Sequence, residues 1–477
     1  MASAVDAVSF PADFVWGAAT ASYQIEGATK EDGRGPCIWD TFAATPGRVL
    51  NGDSGEPATD HYHLYRDDIA LMKELGIGAY RFSVAWPRVQ PDGKGRINPV
   101  GLDFYRRLVD ELLEAGITPW PTLYHWDLPQ PLEDDGGWPN RDTAYRFAEY
   151  AAVVHGALGD RVRHWNTLNE PWCSAFLGYA EGQHAPGRTE PAASIAAVHH
   201  LLLGHGLAIA AMREQQAQHG GEQLMGIVLN PSDIRPYSDR EADVDAARRI
   251  DGLRNRIFLD PLFRGAYPED VREDLAQVTD FGFVHEGDLA AISAPLDLLG
   301  VNFYNHDRVA GSTEGLEPGT FSEPGVPGAT ATSWVGSEHV SFVRSGYPRT
   351  RMGWEVDANG LYALLTRLAA DYPGVELYVT ENGAAYADTV TPDGEVHDPE
   401  RLDYIRSHLL AAHRAIEDGV PLKGYFAWSL LDNYEWAWGY SQRFGIVYVD
   451  YGTQERIVKD SGRWYGSVAR SGEVPAR

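Results

Sequence analysis

Cysteine is scarce in this chain, because only Cys37 and Cys173 among its 477 residues carry a thiol. Two thiols cannot build a disulfide framework and are too few for a structural zinc site, so neither kind of small, cross-linked fold is expected. Basic residues are also few: 40 stand against 68 acidic ones, which gives a net charge of −28. This charge disfavours nucleic acids and anionic membrane surfaces as partners.

Other signatures are missing as well. No apolar run approaches the roughly 20 residues of a membrane-spanning helix, and the segment MASAVDAVSFPADF lacks the positive and apolar regions of a signal peptide. The sequence contains no GxGxxG or GxxxxGK phosphate loop and no HExxH motif. The histidines in HYH (61–63) and VHHLLLGHG (198–206) lie in helical patterns and are predicted to be packing residues. We therefore expect a cytoplasmic protein without a metal or cofactor.

A strand pattern recurs at ELGIGAYRFSVAW (74–86), EAGITPWPTLYHW (114–126) and EDGVPLKGYFAWS (417–429). Each segment starts with a helix end, continues with a glycine and then becomes continuously apolar. Glycine directly after a helix is the usual left-handed stop. Continuous apolar runs indicate strands buried on both faces, as in a parallel sheet. Further strand candidates are 14–19, 161–169, 224–230, 296–304 and 376–381.

Helical periodicity fills the intervals between these strands. In NPVGLDFYRRLVDELLEAG apolar residues repeat at helical spacing, Asn98 is expected to cap the helix, and Pro99 fits the first turn. A further helical pattern is LYRDDIALMKELG (64–76), with apolar residues on one face, and others lie near 142–159, 194–216, 357–371 and 399–418. About eight strands alternating with helices predict a parallel α/β fold, and a closed (β/α)8 TIM barrel is favoured over an open sheet.

The chain is predicted to form one domain, 1–477, with its core at about 10–466, because no linker divides it. Residues 305–353 are rich in Gly, Pro, Ser and Thr and are predicted to form a long loop between the sixth and seventh βα units. Long loops on the C-terminal face of a barrel tend to build the rim of its active site.

Chemistry-bearing residues collect at the predicted strand ends. TLNEP (167–171) and LYVTENGAA (377–385) each place a glutamate, Glu170 and Glu381, beside an asparagine. One such glutamate is more often a helix-start charge or an ion-pair partner, but two in the same setting indicate paired carboxylates, which glycosidic bond cleavage requires. Each strand-end tryptophan can equally be a core residue. The other polar and aromatic strand-end residues are Arg81, Trp86, His125, Trp126, Asn169, Asn302, Tyr304 and Trp428.

These segments carry a family resemblance. FVWGAATASYQIEGA (14–28) resembles the N-terminal signature of glycoside hydrolase family 1, LYVTENGAA its nucleophile signature, and TLNEP its acid/base motif. The similarity extends from about Phe10 to Trp464 and includes SLLDNYEWAWGY (429–440) and RFGIVYVDY (443–451). It implies a (β/α)8 barrel and a retaining β-glycosidase, in particular a β-glucosidase acting on terminal β-D-glucosyl residues.

The resemblance also implies a role for each matched residue. Glu381 matches the nucleophile and Glu170 the general acid/base. Arg81 and Tyr304 match groups that tune the nucleophile, so the Arg81 charge is expected to lower the pKa of Glu381. Trp428 matches the platform beneath the sugar and Trp354 the platform on the aglycone side. The remaining matched substrate-binding residues are Gln24, His125, Trp126, Asn169, Asn302, Glu435 and Trp436.

Three other activities are weighed against this interpretation. An inactive sugar-binding barrel is favoured if either glutamate is replaced, and a thioglycosidase usually has Gln at the acid/base position. Relatives specific for 6-phospho-β-glycosides carry a Ser, with Lys and Tyr nearby, where this chain has Glu435. The Glu435 charge is expected to repel a phosphate, and Arg443 alone is not expected to offset it. The predicted substrates are therefore unphosphorylated β-glucosides or cello-oligosaccharides, and the oligomeric state stays open.

Overall fold

Eight parallel strands close into a barrel in the computed structural model, which describes residues 7–312 and 331–476. Each strand pairs with the next along the chain, and the last pairs with the first. The predicted fold class and the eight predicted strands are confirmed. The barrel strands are β1 (Val15–Ala19), β2 (Ala79–Ser83), β3 (Thr118–Tyr124), β4 (His164–Asn169), β5 (Leu224–Leu229), β6 (Leu298–Asn302), β7 (Glu376–Asn382) and β8 (Leu422–Trp428).

Helices connect the strands where periodicity predicted them. The long helices are α1 (His61–Leu75), α2 (Pro99–Glu114), α3 (Asp142–Leu158), α4 (Pro191–His219), α5 (Glu241–Asp251), α6 (Ala358–Asp371), α7 (Pro399–Glu417) and α8 (Asp460–Ser471). The short helices and helical turns are Ser22–Ile25, Ile38–Ala44, Leu50–Gly52, Trp86–Val89, Gln130–Asp134, Cys173–Glu181, Gly252–Arg256, Ile257–Arg264, Glu269–Asp274, Asp288–Ile292 and Trp436–Ser441.

The ends of the helices test two local predictions. Gly76 follows α1 with φ 79°, the left-handed conformation expected of a glycine stop. The predicted cap at Asn98 is wrong, because its side chain makes no capping hydrogen bond at the start of α2. Its amide nitrogen instead donates to the carbonyl oxygens of Asp32 and Arg88, at 2.8 and 3.0 Å. The side chain therefore holds two loops together.

Helix α4 is the most apolar of the long helices. Its residues Pro191–Gln218 are long and apolar enough to cross a membrane by length and composition, but 78% of the apolar window is buried inside the protein. A core helix of a soluble protein passes the same test, so this helix is weak evidence for a membrane span. Two of its histidines make the packing contacts predicted for them, His199 with Asp288 at 2.9 Å and His205 with Thr167 at 2.6 Å.

The described parts of the segment 305–353 contain more regular structure than the predicted loop. Its described parts contain strands Asp307–Ala310 and Ser341–Phe342, which join Ile234–Pro236 in a three-stranded sheet. These strands are too short for a hydrophobic alternation to be legible in the sequence. Residues 313–330 of the predicted loop lie outside the described residues. Two further antiparallel pairs are formed by Ala7–Ser9 with Glu473–Pro475 and by Val447–Val449 with Arg456–Val458.

Aromatic side chains fill the lower part of the barrel. Trp120 contacts Phe426 and Tyr378 with ring centroids 5.1 and 5.0 Å apart. Gly17 makes room for this layer, because a Cβ atom there would lie 2.3 Å from the Phe426 ring. The barrel interior is thus a packed core, and a cavity is left at the opposite end, beyond the C-terminal strand ends.

Candidate active site

A cavity of about 610 Å³ opens at the C-terminal ends of the barrel strands. It brings together ten of the predicted site residues, which come from loops and strands far apart in sequence. Arg81 and Asn169 do not line it but hydrogen-bond to Glu381 and Asn302, which do. Gln24 does not line it either and donates to the Tyr434 carbonyl, next to Glu435. The ten lining residues are His125, Trp126, Glu170, Asn302, Tyr304, Trp354, Glu381, Trp428, Glu435 and Trp436.

Glu381, near the end of β7, is held by two donors. One carboxylate oxygen accepts from the Arg81 guanidinium at 2.7 Å, and the other accepts from the Tyr304 hydroxyl at 2.6 Å. Burial raises the pKa of Glu381 to about 7, although the Arg81 charge lowers it, and the nearby Glu170 charge adds to the rise. The expected effect of Arg81 on the pKa of Glu381 is therefore present, but it does not overcome the effect of burial.

Glu170 directly follows β4 and is also held by two donors. The Asn302 amide donates to one carboxylate oxygen at 2.6 Å, and the Cys173 thiol donates to the other at 3.0 Å. The Glu170 backbone is left-handed, with φ 45°, and Trp126 and Trp436 share this conformation at 78° and 49°. Such strain at residues other than glycine persists only where the surrounding structure imposes it, as it often does at functional sites.

One amide connects the two carboxylates. The Asn169 carbonyl oxygen accepts from Arg81 at 2.6 Å and from Asn302 at 3.0 Å. Because Arg81 can only donate, the Asn169 amide nitrogen must face His125, whose Nε2 lies 3.0 Å away. Burial and the Arg81 charge lower the pKa of His125, so its ring is neutral and carries its proton on Nδ1. A continuous network therefore joins Glu381 to Glu170.

Three polar atoms in the part of the site near His125 and Glu435 have no hydrogen-bond partner among the described residues. They are His125 Nδ1, Gln24 Oε1 and Glu435 Oε2, and all are buried. Gln24 is held next to Glu435 by donating to the Tyr434 carbonyl at 2.7 Å. Burial, with the charges of Glu381 and Glu170, raises the pKa of Glu435 to about 8. Buried polar atoms need partners, and a polyhydroxylated ligand offers both donors and acceptors.

Aromatic rings form the walls of the cavity. The Trp428 ring lies within 20° of parallel to His125, and Trp126 contacts Trp436 with ring centroids 4.5 Å apart. Trp354 contacts Tyr304 at 5.3 Å, which places it beside the partner of Glu381. These flat faces suit the C–H surface of a sugar ring.

Sequence reasoning misplaced one tryptophan and overlooked several cavity residues. Trp86 starts the short helix Trp86–Val89 and stacks on Tyr150 in the core, so the alternative of a core residue is confirmed for it. Cys173, Glu181 and Arg254 line the cavity without having been predicted to do so. Only Cys173 could have been found from the sequence, because it lies three residues after Glu170. Glu181 and Arg254 reach the cavity because of the helical turns to which they belong.

These features define a class of protein, the barrel enzymes that act on carbohydrates. They are a closed parallel barrel and, at its strand ends, two networked carboxylates, aromatic walls and unpaired polar atoms. The chain belongs to glycosyl hydrolase family 1, whose family model matches residues 7–474. The family predicted from the sequence motifs is thereby confirmed.

Similar proteins cover almost the whole chain. A thermostable beta-glucosidase B from Thermobispora bispora is 53% identical over 465 residues, 97% of this chain and 91% of that protein. A bifunctional beta-D-glucosidase/beta-D-fucosidase from Bifidobacterium breve is 48% identical, covering 96% and 97%. The crystal structure of the psychrophilic beta-glucosidase BglU from Micrococcus antarcticus superposes with a TM-score of 0.94 at 53% identity, covering 98% of both chains.

Proposed function

We propose that this protein is a retaining β-glucosidase that hydrolyses unphosphorylated β-glucosides and cello-oligosaccharides through a covalent glycosyl-enzyme. The observation that carries the proposal is the arrangement around Glu381. Its carboxylate is held by Arg81 and Tyr304 and is joined to Glu170 through Asn169 and Asn302. The relatives named beta-glucosidases support the choice of sugar.

The first step needs one ionised and one protonated carboxyl group. Two interacting carboxyls titrate as a pair, so the shared proton is assigned by their surroundings. Arg81 and Tyr304 donate to Glu381, and the Arg81 cation makes that oxygen pair the better site for the negative charge. Glu381 therefore attacks the anomeric carbon, while Glu170 gives its proton to the glycosidic oxygen as the bond to the aglycone breaks.

The second step reverses these roles. Once Glu381 is esterified, its charge is gone, and Glu170 is the remaining carboxylate next to the sugar. Asn302 and Cys173 donate to its two oxygens and so hold the carboxylate in place. Glu170 removes a proton from a water molecule, the water oxygen attacks the anomeric carbon, and the Glu381 carboxylate leaves.

The test of this proposal is chemical rescue. Glu381→Gly should lower hydrolysis of 4-nitrophenyl β-glucoside by roughly 10⁴-fold or more. Azide should enter the vacated space, restore turnover and give α-glucosyl azide. Glu376→Gly is the matched control, because Glu376 begins the same strand at the end away from the cavity and should keep its activity. Near-normal activity of Glu381→Gly without an added anion would contradict the assignment.

The structure changes the reason for rejecting a phosphorylated sugar. Repulsion by Glu435 requires its ionised form, but a pKa of about 8 leaves this residue mostly neutral at pH 7. Arg443 is occupied, since it donates to Asp432 at 2.7 Å and to the Val449 carbonyl at 3.0 Å. Arg443 is therefore not free to compensate a phosphate here, and burying an unpaired charge costs several kcal/mol.

A further inference from the structure

Arg254 occupies the part of the cavity that lies beyond Glu170. It belongs to the helical turn Gly252–Arg256 and lines the cavity together with Trp172, two residues after Glu170. Its guanidinium carbon lies 4.1 Å from the centre of the Trp172 ring. The Arg254 charge also lowers the pKa of Cys173, although burial raises that pKa far more. Because Glu170 protonates the leaving oxygen in the proposed reaction, this is the aglycone side.

The guanidinium of Arg254 has no protein acceptor among residues 7–312 and 331–476. Its Nε is sealed from solvent and makes no hydrogen bond. The neighbouring arginines are paired, Arg248 with Asp270 at 2.8 Å and Arg256 with Asp270 at 2.7 Å. An unpaired, half-buried cation is unexpected in a chain with 68 acidic residues. Within the described residues the fold therefore gives Arg254 an aromatic face, Trp172, but no carboxylate partner.

We propose that Arg254 binds a carboxylate on the aglycone, so that aryl β-glucosides with an acidic aglycone are a preferred substrate class. The proposal rests on the proposed β-glucosidase activity. A guanidinium matches a carboxylate with two parallel hydrogen bonds. Trp172 and Trp334, whose rings are 5.3 Å apart, supply aromatic faces next to Arg254 for the aryl part.

Carboxyl groups from other elements border the same cavity and oppose an anion. Burial raises the pKa of Glu181 to about 7, and Ser333 donates to it, so Glu181 is mainly neutral at pH 6. Asp307 accepts from the Ser232 hydroxyl at 2.7 Å. The other three carboxyl groups that line the cavity are Glu170, Glu381 and Glu435, on the sugar side. The preference for an anion should therefore be measured at pH 6 and should weaken as Glu181 ionises.

The experiment compares two substrates that differ in charge alone. These are 4-(carboxymethyl)phenyl β-glucoside and its primary amide, in which the methylene group keeps the leaving groups electronically similar. The wild type should favour the acid in kcat/KM by roughly tenfold to a hundredfold, the range of a charge-assisted hydrogen bond. Arg254→Gln should abolish this ratio, and Arg254→Lys should keep part of it. Arg272→Gln, which removes an exposed arginine over Phe281, should leave the ratio unchanged.

The readout is the ratio of kcat/KM for the acid to kcat/KM for the amide, measured on the same protein. A general loss of activity in Arg254→Gln would lower both values and leave this ratio unchanged. A wild-type ratio at or below one, or an unchanged ratio in Arg254→Gln, would overturn the proposal. Cellobionate and cellobiitol form a second charged and neutral pair. A preference confined to cellobionate would overturn the proposed aryl substrate class and would indicate a sugar acid as the ligand instead. Failure to hydrolyse 4-nitrophenyl β-glucoside would instead contradict the proposed function.

Discussion

Glu435 should make the wild-type protein lose stability as the pH rises, and Glu435→Gln should remove that loss. Its carboxyl oxygen Oε2 is buried without a protein partner. Burial and the charges of Glu381 and Glu170 raise its pKa to about 8. Glutamine keeps the shape and one acceptor of the side chain but cannot ionise, so it isolates the effect of the proton.

The sign follows from the order in which the two states ionise. At low pH both the folded and the unfolded protein keep this carboxyl protonated, and the stabilisation is fully present. Above about pH 4.3 the unfolded chain ionises first, so the free energy of unfolding falls until the folded protein also ionises near pH 8. The full interval corresponds to roughly 5 kcal/mol. Because Glu435 borders the open cavity, we expect about half of this value.

The measurement is urea unfolding followed by tryptophan fluorescence at pH 5 and pH 9. Between these pH values the wild type should lose on the order of 2 to 3 kcal/mol relative to Glu435→Gln. Glu273→Gln is the control, because it removes one exposed carboxylate and should follow the wild type. If the wild type and Glu435→Gln lost stability in parallel, the inference of a buried, protonated Glu435 would be wrong.

The acid/base role of Glu170 predicts a dependence on the leaving group. Glu170→Ala should slow the first step with phenyl β-glucoside by roughly 10² to 10⁴-fold. The variant should slow dinitrophenyl β-glucoside much less, because dinitrophenolate leaves without a proton. Equal losses for the two substrates in single-turnover kinetics would refute the acid/base role. The occupied Arg443 predicts discrimination against phosphate. The wild-type kcat/KM for 4-nitrophenyl β-glucoside should exceed that for its 6-phosphate by roughly a thousandfold, and equal efficiency would overturn this reasoning.

The barrel could be predicted because its signals are local and repeated. Most strands are largely apolar runs, and the glycines after α1 and α2 take the left-handed conformation that the sequence indicates. The pair Glu170 and Glu381 followed from the same logic, since parallel strands deliver their C-terminal ends to one face. Short elements escaped prediction, as strand Ser341–Phe342 illustrates, because two residues show no periodicity.

Local propensity failed where a long-range contact decided the outcome. Asn98 suits a helix cap, but its amide binds the carbonyl oxygens of Asp32 and Arg88 instead. The protonation of Glu435 was equally hidden, because it depends on burial and on two carboxyls that lie far away in sequence. Arg254 could not be placed from its own segment, since the helical turn around it sets where the guanidinium points.

In the proposed mechanism, the hydrogen-bond network allows the two carboxyls to act in turn without moving. Asn169 accepts from Arg81 and Asn302 through one oxygen, so the partners of Glu381 and Glu170 are fixed relative to each other. A change of charge on either carboxyl is therefore felt by the other across rigid, buried groups, where screening by water is weak. In the proposed mechanism, esterification of Glu381 removes one of the two interacting charges, so the first chemical step prepares Glu170 to act as the base in the second.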